Sequence, residues 1–297
     1  MKYINYFQNA EQFHWNAAGP LTPKMRTKSV KLLMLFLGFT YFGGTHSFCQ
    51  KLPKIQEKSL RIPKNLIVDG KATEWNNKFE ADNKATGIAY TIANDDEKIY
   101  LVFRGSSSDI IRKVITGGVT ISLSTSKESD DKSITFPIYD KSNPPLTITI
   151  PSDQSNVEKD SLMKSYNKKL LGKLKLIGVN GIRSITDSIL SVYNEEEINV
   201  KCLFDSNLNF TYELSLPIKH ITANAIPLTK LNYKVRFNGI WGKDSNVRII
   251  RGITKTVLEA HLSGSWREVG EANPQNMFLA FSSHFGGKYV LAKKEVP

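Results

Sequence analysis

The stretch that decides the fold begins with Ile67-Val68-Asp69-Gly70-Lys71-Ala72-Thr73-Glu74-Trp75 and continues into two segments of alternating residues. In these segments, Ile88–Ala93 and Ile99–Phe103, every second residue is large and apolar. A period of two over this length is typical of a β-strand between two packed surfaces. The run Asn94–Glu97 between them predicts a tight turn, because short polar side chains can hydrogen-bond to their own backbone. The stretch therefore predicts the opening hairpin of an antiparallel β-sandwich.

The same alternation recurs along most of the chain. Further strands are predicted over residues 119–123, 134–138, 146–150, 174–176, 198–204, 208–216, 231–237 and 289–292. Helices are predicted after the polar run 106–109, which can cap a first turn, and over 154–171, where apolar residues recur at spacings of three and four. We therefore predict a mainly all-β protein: an antiparallel β-sandwich, jelly-roll-like, with one or two short helices crossing between strands.

Two segments of this predicted sandwich carry specific expectations. In the strand over 208–216 we expect a solvent-facing set of side chains, formed by Asn209, Thr211, Glu213 and Ser215. From residue 239 to about 280 the alternation breaks down, which predicts a long loop excursion with a short helix near Val257–Leu262. Long loops on a rigid sandwich are where binding residues usually sit.

The front of the chain has the pattern of an export signal. An apolar block, Leu32–Phe42, follows three cations and precedes small and polar residues, as in a secretory signal peptide. We predict a signal peptide over 25–49, with cleavage between Cys49 and Gln50, and a location in the periplasm, the outer envelope or the medium. Residues 1–24 are then explained by an upstream start codon chosen in error. Residues 50–63 would form an extended linker or an edge segment, followed by one sandwich domain over 64–297.

The two cysteines bear on the redox chemistry. If Cys49 leaves with the signal, no intramolecular disulfide can form. Alternatively, an acylated Cys49 would make the protein a lipoprotein. Acylation needs a small residue before the cysteine, and Phe48 stands there. Cys202 alternates with apolar residues and is predicted to be a small core residue.

The charge of the chain argues against one class of partner. The full chain carries +12, and residues 1–49 hold five cations and one anion, which leaves +8 for the rest. Nucleic-acid binding calls for clustered basic residues with interleaved aromatics, which this sequence lacks. No integral membrane segment is expected after signal removal.

A family resemblance follows from five short motifs. These are Asp69-Gly70-x-x-x-Glu74-Trp75, Asn94-Asp95-x-x-x-Ile99-Tyr100, Gly118-Val119-Thr120, Tyr212-Glu213-x-x-Leu216-Pro217 and Phe285–Ala292. Together they resemble the family 9 carbohydrate-binding modules and the wider DOMON-like group, over about residues 64–294. The resemblance implies a non-catalytic, glycan-binding sandwich and places Trp75 in the core. We expect Trp75 and Tyr212 to be buried.

Catalytic and cofactor signatures are sparse. After signal removal the chain keeps His220, His261 and His284, far apart in sequence, and has no zinc-helix, nucleophile-elbow or phosphate-loop motif. We therefore predict no enzyme activity. Some DOMON-like domains hold haem through Met and His, but Met163 and Met277 do not lie in strands that face a histidine.

No cofactor is predicted, and calcium is the only metal considered. Asp69, Glu74, Asp95 and Asp96 are the residues that would hold a structural calcium, as in some family 9 modules, but turn chemistry explains all four better. Asp205, Asn207 and Asn209 resemble the start of a calcium loop but lack its glycine and glutamate, so a hairpin turn is favoured.

The candidate ligand residues are Trp241 and Trp266, which lie in the predicted excursion near Asn238, Lys243, Asp244, Arg267 and Glu268. Sugars present apolar ring faces, so an aromatic side chain flanked by hydrogen-bonding groups can hold them. Alternatively, both tryptophans pin the loop onto the sandwich. We predict glycan binding, with docking on other envelope proteins, without sugar, as the alternative function.

Overall fold

The computed structural model describes residues 51–105, 107–125, 132–140, 144–150, 155–222, 228–241 and 246–294. The predicted signal peptide, its cleavage site at Cys49 and Gln50, and the preceding extension lie outside these residues. Within them the chain forms fourteen β-strands, three α-helices and one 3-10 turn. No helix of this part is long and apolar enough to cross a membrane.

The strands form three antiparallel sheets. The first sheet has the order β1 (Ala81–Asn83), β2 (Ile88–Asn94), β3 (Lys98–Gly105), β9 (Phe210–Pro217), β8 (Asn199–Phe204). The second has the order β14 (Ser283–Val290), β10 (Lys230–Phe237), β4 (Val119–Ser124), β5 (Lys132–Ile138), β6 (Leu176–Asn180), β7 (Ile189–Ser191). The third consists of β11 (Val247–Arg251), β12 (Thr256–Leu262) and β13 (Ser265–Glu271), in that order.

The first and second sheets pack face to face around one apolar core. The ring of Tyr90 in the first sheet stacks on Phe285 in the second, with 4.2 Å between centroids. Phe103 meets Phe237 edge to face at 5.5 Å. Tyr212 is fully buried, as expected. Such ring pairs stabilise a core beyond the area they bury, and the predicted antiparallel sandwich is confirmed.

The helices cross between strands. Helix α1 (Ser108–Gly117) begins at the N-cap Ser107, and α2 (Asn156–Lys173) begins with a capping box. A third helix, α3 (Pro274–Ala280), was not predicted, although Asn273 caps it and proline occupies its first turn. The predicted strand over 146–150 is wrong, because residues 144–150 adopt no regular secondary structure.

The outer face of the first sheet is covered rather than wet. Thr211, Glu213 and Ser215 on β9 are all buried, so the predicted solvent-facing set is wrong at these positions. Residues 60–79 fold back over this face and form a small second core with it. Its buried members are Ala72, Trp75, Ala93 and Val102.

Residues 51–63 are an edge segment, not a free linker. The side-chain amide of Gln56 pairs with the backbone of Ile92 on β2, accepting from its N–H and donating to its C=O at 2.7 Å each. Further along, Asn94 donates its N–H to Leu60 O and accepts from Ile62 N. These bonds occupy polar groups that an open sheet edge would expose to pairing with another chain.

The predicted loop excursion is largely the third sheet, followed by α3. The helix predicted near Val257–Leu262 is wrong, since these residues lie in β12, and the closing strand runs over Ser283–Val290 rather than 289–292. Where this region begins, the backbone at Gly239 packs closely against the backbone at Ala280. A Cβ on Gly239 would lie 1.9 Å from the carbonyl oxygen of Ala280, so only glycine lets the end of β10 pack on α3.

One buried amine joins α1 to the segment around α3. Lys113 is fully buried, with its Nζ 3.0 Å from Ser283 Oγ and 4.4 Å from the ring centroid of Phe278. Burial lowers the pKa of this amine to about 8. The segment that returns the chain from the third sheet is thus tied to the sandwich.

Candidate functional site

The Asp-Gly motif at the start of the fold is a structural clamp. Glu213 is 2% exposed, and its carboxylate accepts hydrogen bonds from Asp69 N at 3.0 Å and Gly70 N at 2.9 Å. The indole Nε1 of Trp75 donates to the other oxygen at 3.0 Å. A buried carboxylate is tolerated when N–H donors satisfy it. The position of Trp75 in the core, 8% exposed, is confirmed.

Burial dominates the titration of this carboxyl. It raises the pKa of Glu213 to about 7, while the three N–H donors act in the opposite direction. Gly70 matters here because its φ is +86° and an added Cβ would lie 3.1 Å from Leu203, so a side chain would strain the backbone that supplies one donor. The clamp leaves Trp75 no free surface for a ligand.

Trp266 is in a different environment, on an exposed face of the third sheet. The hairpin between β12 and β13 turns through Ser263 and Gly264, both at positive φ, and sets Trp266 opposite His261. The two rings meet at 5.4 Å, nearly edge to face. Trp266 is 39% exposed. A ring with its apolar body in partial contact with water is available to a ligand.

Charged groups surround this indole. The guanidinium carbon of Arg248 lies 4.0 Å from the Trp266 ring centroid, a cation–π geometry. The same guanidinium donates through Nε at 2.9 Å and Nη2 at 2.7 Å to one oxygen of Glu259. On β13, Glu268 pairs with Lys255 at 2.7 Å. The face formed by Arg248, Glu259, His261, Trp266 and Glu268 is called the indole face below.

The sequence identified only part of the indole face. It named Trp266 and Glu268, but the alternation of β12 and the Ser263-Gly264 turn, a signal for a two-residue hairpin, would also have found His261. Arg248 was missed because residues 247–251 were predicted as part of a loop and not as a strand. Arg267 lies opposite Ala260 in that register and belongs to the other face of the sheet.

Trp241 is placed apart from the third sheet, in the turn that follows β10, where it is half-buried. Its neighbour Asn238 is a structural residue: its amide nitrogen donates to Gly117 O at 3.1 Å and to Thr120 Oγ1 at 3.2 Å. Lys243 and Asp244 lie outside the described residues. Whether Trp241 or Trp266 contacts a sugar stays a prediction.

The histidines and methionines fall in separate elements. His220 is buried in the 3-10 turn after β9, 2.9 Å from Ser184 Oγ, whereas His261 and His284 are exposed on β12 and β14. Met163 packs on the core from α2, and Met277 lies in α3. The absence of enzyme activity stays a prediction.

Asp69, Asp95 and Asp205, which were considered for calcium, accept from backbone N–H groups of their own turns, whereas Glu74 accepts from Thr73 Oγ1 and Asp96 pairs with Arg61. Asp95 Oδ1 accepts from Glu97 N at 2.8 Å and Lys98 N at 2.6 Å. Asp205 accepts in the same way from two backbone N–H groups of its turn. Among the described residues no three His, Cys, Asp or Glu side chains gather into a group that could hold a metal ion.

Comparison of the chain with protein-family models, with curated proteins and with solved structures finds no match.

Proposed function

We propose that this protein is an exported, non-catalytic glycan-binding protein whose β-sandwich is similar to family 9 carbohydrate-binding modules, and that it holds sugar on the indole face. The observation that carries the proposal is the exposure of Trp266 on a sheet rather than in a mobile loop. A rigid aromatic surface can accept the apolar face of a sugar ring at little cost in conformational entropy.

The neighbours of Trp266 supply the polar half of such a site. Arg248 provides N–H donors, Glu259 provides carboxylate acceptors, and His261 offers a ring nitrogen of either kind. These groups lie on paired strands, so their relative positions are fixed before ligand arrives. Preorganisation of this kind favours binding.

Docking on other envelope proteins is the alternative function, and one observation favours it. Ile253, at the turn between β11 and β12, is fully exposed, and Ile249 is 42% exposed on the face opposite the indole face. Exposed apolar side chains on a projecting sheet can mark a protein interaction surface. The two functions would then use different sides of the third sheet.

A glycan-array screen followed by titration calorimetry tests the proposal. We expect Trp266→Ala to weaken binding of a positive glycan at least tenfold, equivalent to about 1.4 kcal/mol. Trp241→Ala tests the second predicted tryptophan, and Tyr193→Ala is the matched control, since Tyr193 is an exposed aromatic outside the third sheet. Each variant must melt like the parent.

Undiminished affinity in Trp266→Ala would remove the indole face as the site. Product formed from a bound glycan would overturn the non-catalytic assignment. If no glycan binds across the array, docking through Ile249 and Ile253 becomes the better function.

Export is tested separately by mass spectrometry of the protein from its host. We expect Gln50 as the first residue. A product that retains Leu32–Phe42 would contradict export, and an acylated Cys49 would show a lipoprotein instead.

A further inference from the structure

A cavity of about 250 Å³ lies where the two sheets of the sandwich end side by side. Strand β8 is the edge of the first sheet, β7 is the edge of the second, and the C-terminal part of α2 lies over the gap between them. Asn167 fixes α2 there: its amide accepts from Phe204 N at 2.8 Å and donates to Phe204 O at 2.9 Å. The helix is therefore attached at one end of β8, and the cavity opens along the rest of that strand.

Apolar core side chains form part of the cavity wall, beside the polar Asn199. Phe136 comes from the second sheet, Val200 and Cys202 from β8, and Leu170 and Leu174 from α2 and its C-cap. All five are buried. A cavity lined in this way accepts the hydrocarbon part of a small molecule.

The rim is basic and aromatic. Lys175 and Lys201 both line the cavity, and Tyr193 stands beside them, 81% exposed. The ammonium of Lys175 lies 5.3 Å from the ring centroid of Tyr193. None of the ion pairs found among the described residues involves either lysine. Two cations without a protein counter-charge favour an anionic group at the mouth.

We propose that this cavity binds a small amphiphilic carboxylate, with its chain between the sheets and its acid group between Lys175 and Lys201. At roughly 30 Å³ for each non-hydrogen atom, the share of one water in the liquid, the cavity holds about eight such atoms. The ligand class is therefore a medium-chain or aromatic organic acid. The site is separate from the indole face, and the inference does not depend on glycan binding.

Octanoate is the test ligand, because its chain matches the volume. Calorimetry with the full chain compares octanoate with 1-octanol and octylamine, which keep the chain and change the head group. We expect octanoate to bind, octanol to bind at least about fivefold more weakly, and octylamine to bind weakest of the three. The variant Lys175→Met with Lys201→Met should lose about fivefold or more in octanoate affinity. Lys168→Met, an exposed lysine of α2 outside the cavity, should lose none.

Two further measurements keep the test independent of any one variant. Leu174→Trp fills the cavity and should abolish octanoate binding. Octanoate should also raise the melting temperature of the parent chain, whether or not Leu174→Trp folds. Absence of octanoate binding, or an unchanged melting temperature at saturating octanoate, would overturn the site. Equal affinities for octanoate and octanol would overturn its assignment to an acid.

Discussion

Trp75 packs against a β-sheet and Trp266 lies in one, each beside a glutamate, yet the first is core and the second is surface. Trp75 belongs to the segment that covers the first sheet. It donates directly to Glu213, which lies 138 residues later in the sequence. The glutamate near Trp266 is Glu259. It forms an ion pair with Arg248, and both side chains are partly exposed to solvent. The comparison teaches that residue types on a strand do not decide whether its face is covered. A segment from elsewhere in the chain decides it.

The two faces also handle charge differently. On the covered face, the carboxylate of Glu213 depends on three N–H donors held in fixed positions. Loss of one donor leaves part of the buried carboxylate without a hydrogen bond, which lowers the stability of the fold by its desolvation cost. On the indole face, Arg248 and Glu259 remain half-exposed, so solvent screens their attraction and replaces it when one partner is lost. The same residue type is therefore critical on one face and replaceable on the other.

The largest expected effect is the difference in unfolding free energy lost when each of the two indoles is removed. We expect Trp75→Ala to cost roughly 3 to 5 kcal/mol of unfolding free energy, because it opens a cavity and strips Glu213 of a donor. The matched substitution Trp266→Ala should cost less than about 1 kcal/mol, since its indole is part-exposed. Denaturant unfolding of both variants and the parent measures the difference. Equal losses would mean that the third sheet is as deeply packed as the sandwich.

A smaller effect is expected from pH. Because the folded-state pKa of Glu213, about 7, is above the ordinary value of 4.5, the folded protein binds more protons between these values than the unfolded chain. The extra proton binding stabilises the folded state fully at pH values below about 4.5. As pH rises through about 7, this stabilisation is lost, and the free energy of unfolding falls by about 1 to 3 kcal/mol. The variant Glu213→Gln does not titrate there and lacks this slope.

The measurement is the difference in unfolding free energy between the parent and Glu213→Gln at pH 5 and at pH 8. Taking a difference removes the contributions of other titrating groups. We expect the parent's advantage to shrink toward pH 8. A difference that stays constant across this range would show that the three donors outweigh burial at this site.

The smallest effect is expected on the indole face. Arg248→Ala breaks the pair with Glu259 and the contact with Trp266, and should cost less than about 1 kcal/mol, less still in high salt. Unfolding of the variant at low and high salt measures it. A loss above about 2 kcal/mol would indicate that this face is covered in solution, for example by a second copy of the chain.

The sequence by itself determined the central strands of the sandwich and two of its turns. A period of two identified β2, β3, β4, β8, β9 and β10, because alternating side chains must lie on opposite faces of a strand. Polar side chains that bond to their own backbone identified the turns at Asp95 and Asp205. Capping residues identified α1, and apolar residues at spacings of three and four identified α2. The burial of Trp75 was expected from the family resemblance, not from these patterns.

Only the tertiary structure decided which faces are covered and which groups meet. Glu213 alternates with apolar residues as a surface residue would, and it is buried because residues 60–79 return over it. Arg248 reaches Trp266 only through the register of β11 on β12, and the cavity beneath α2 exists only because two sheet edges end together. The physical reason is that strand periodicity is set by neighbours one or two residues away. Covering, register and cavities are set by packing between segments that the sequence separates by tens to hundreds of residues.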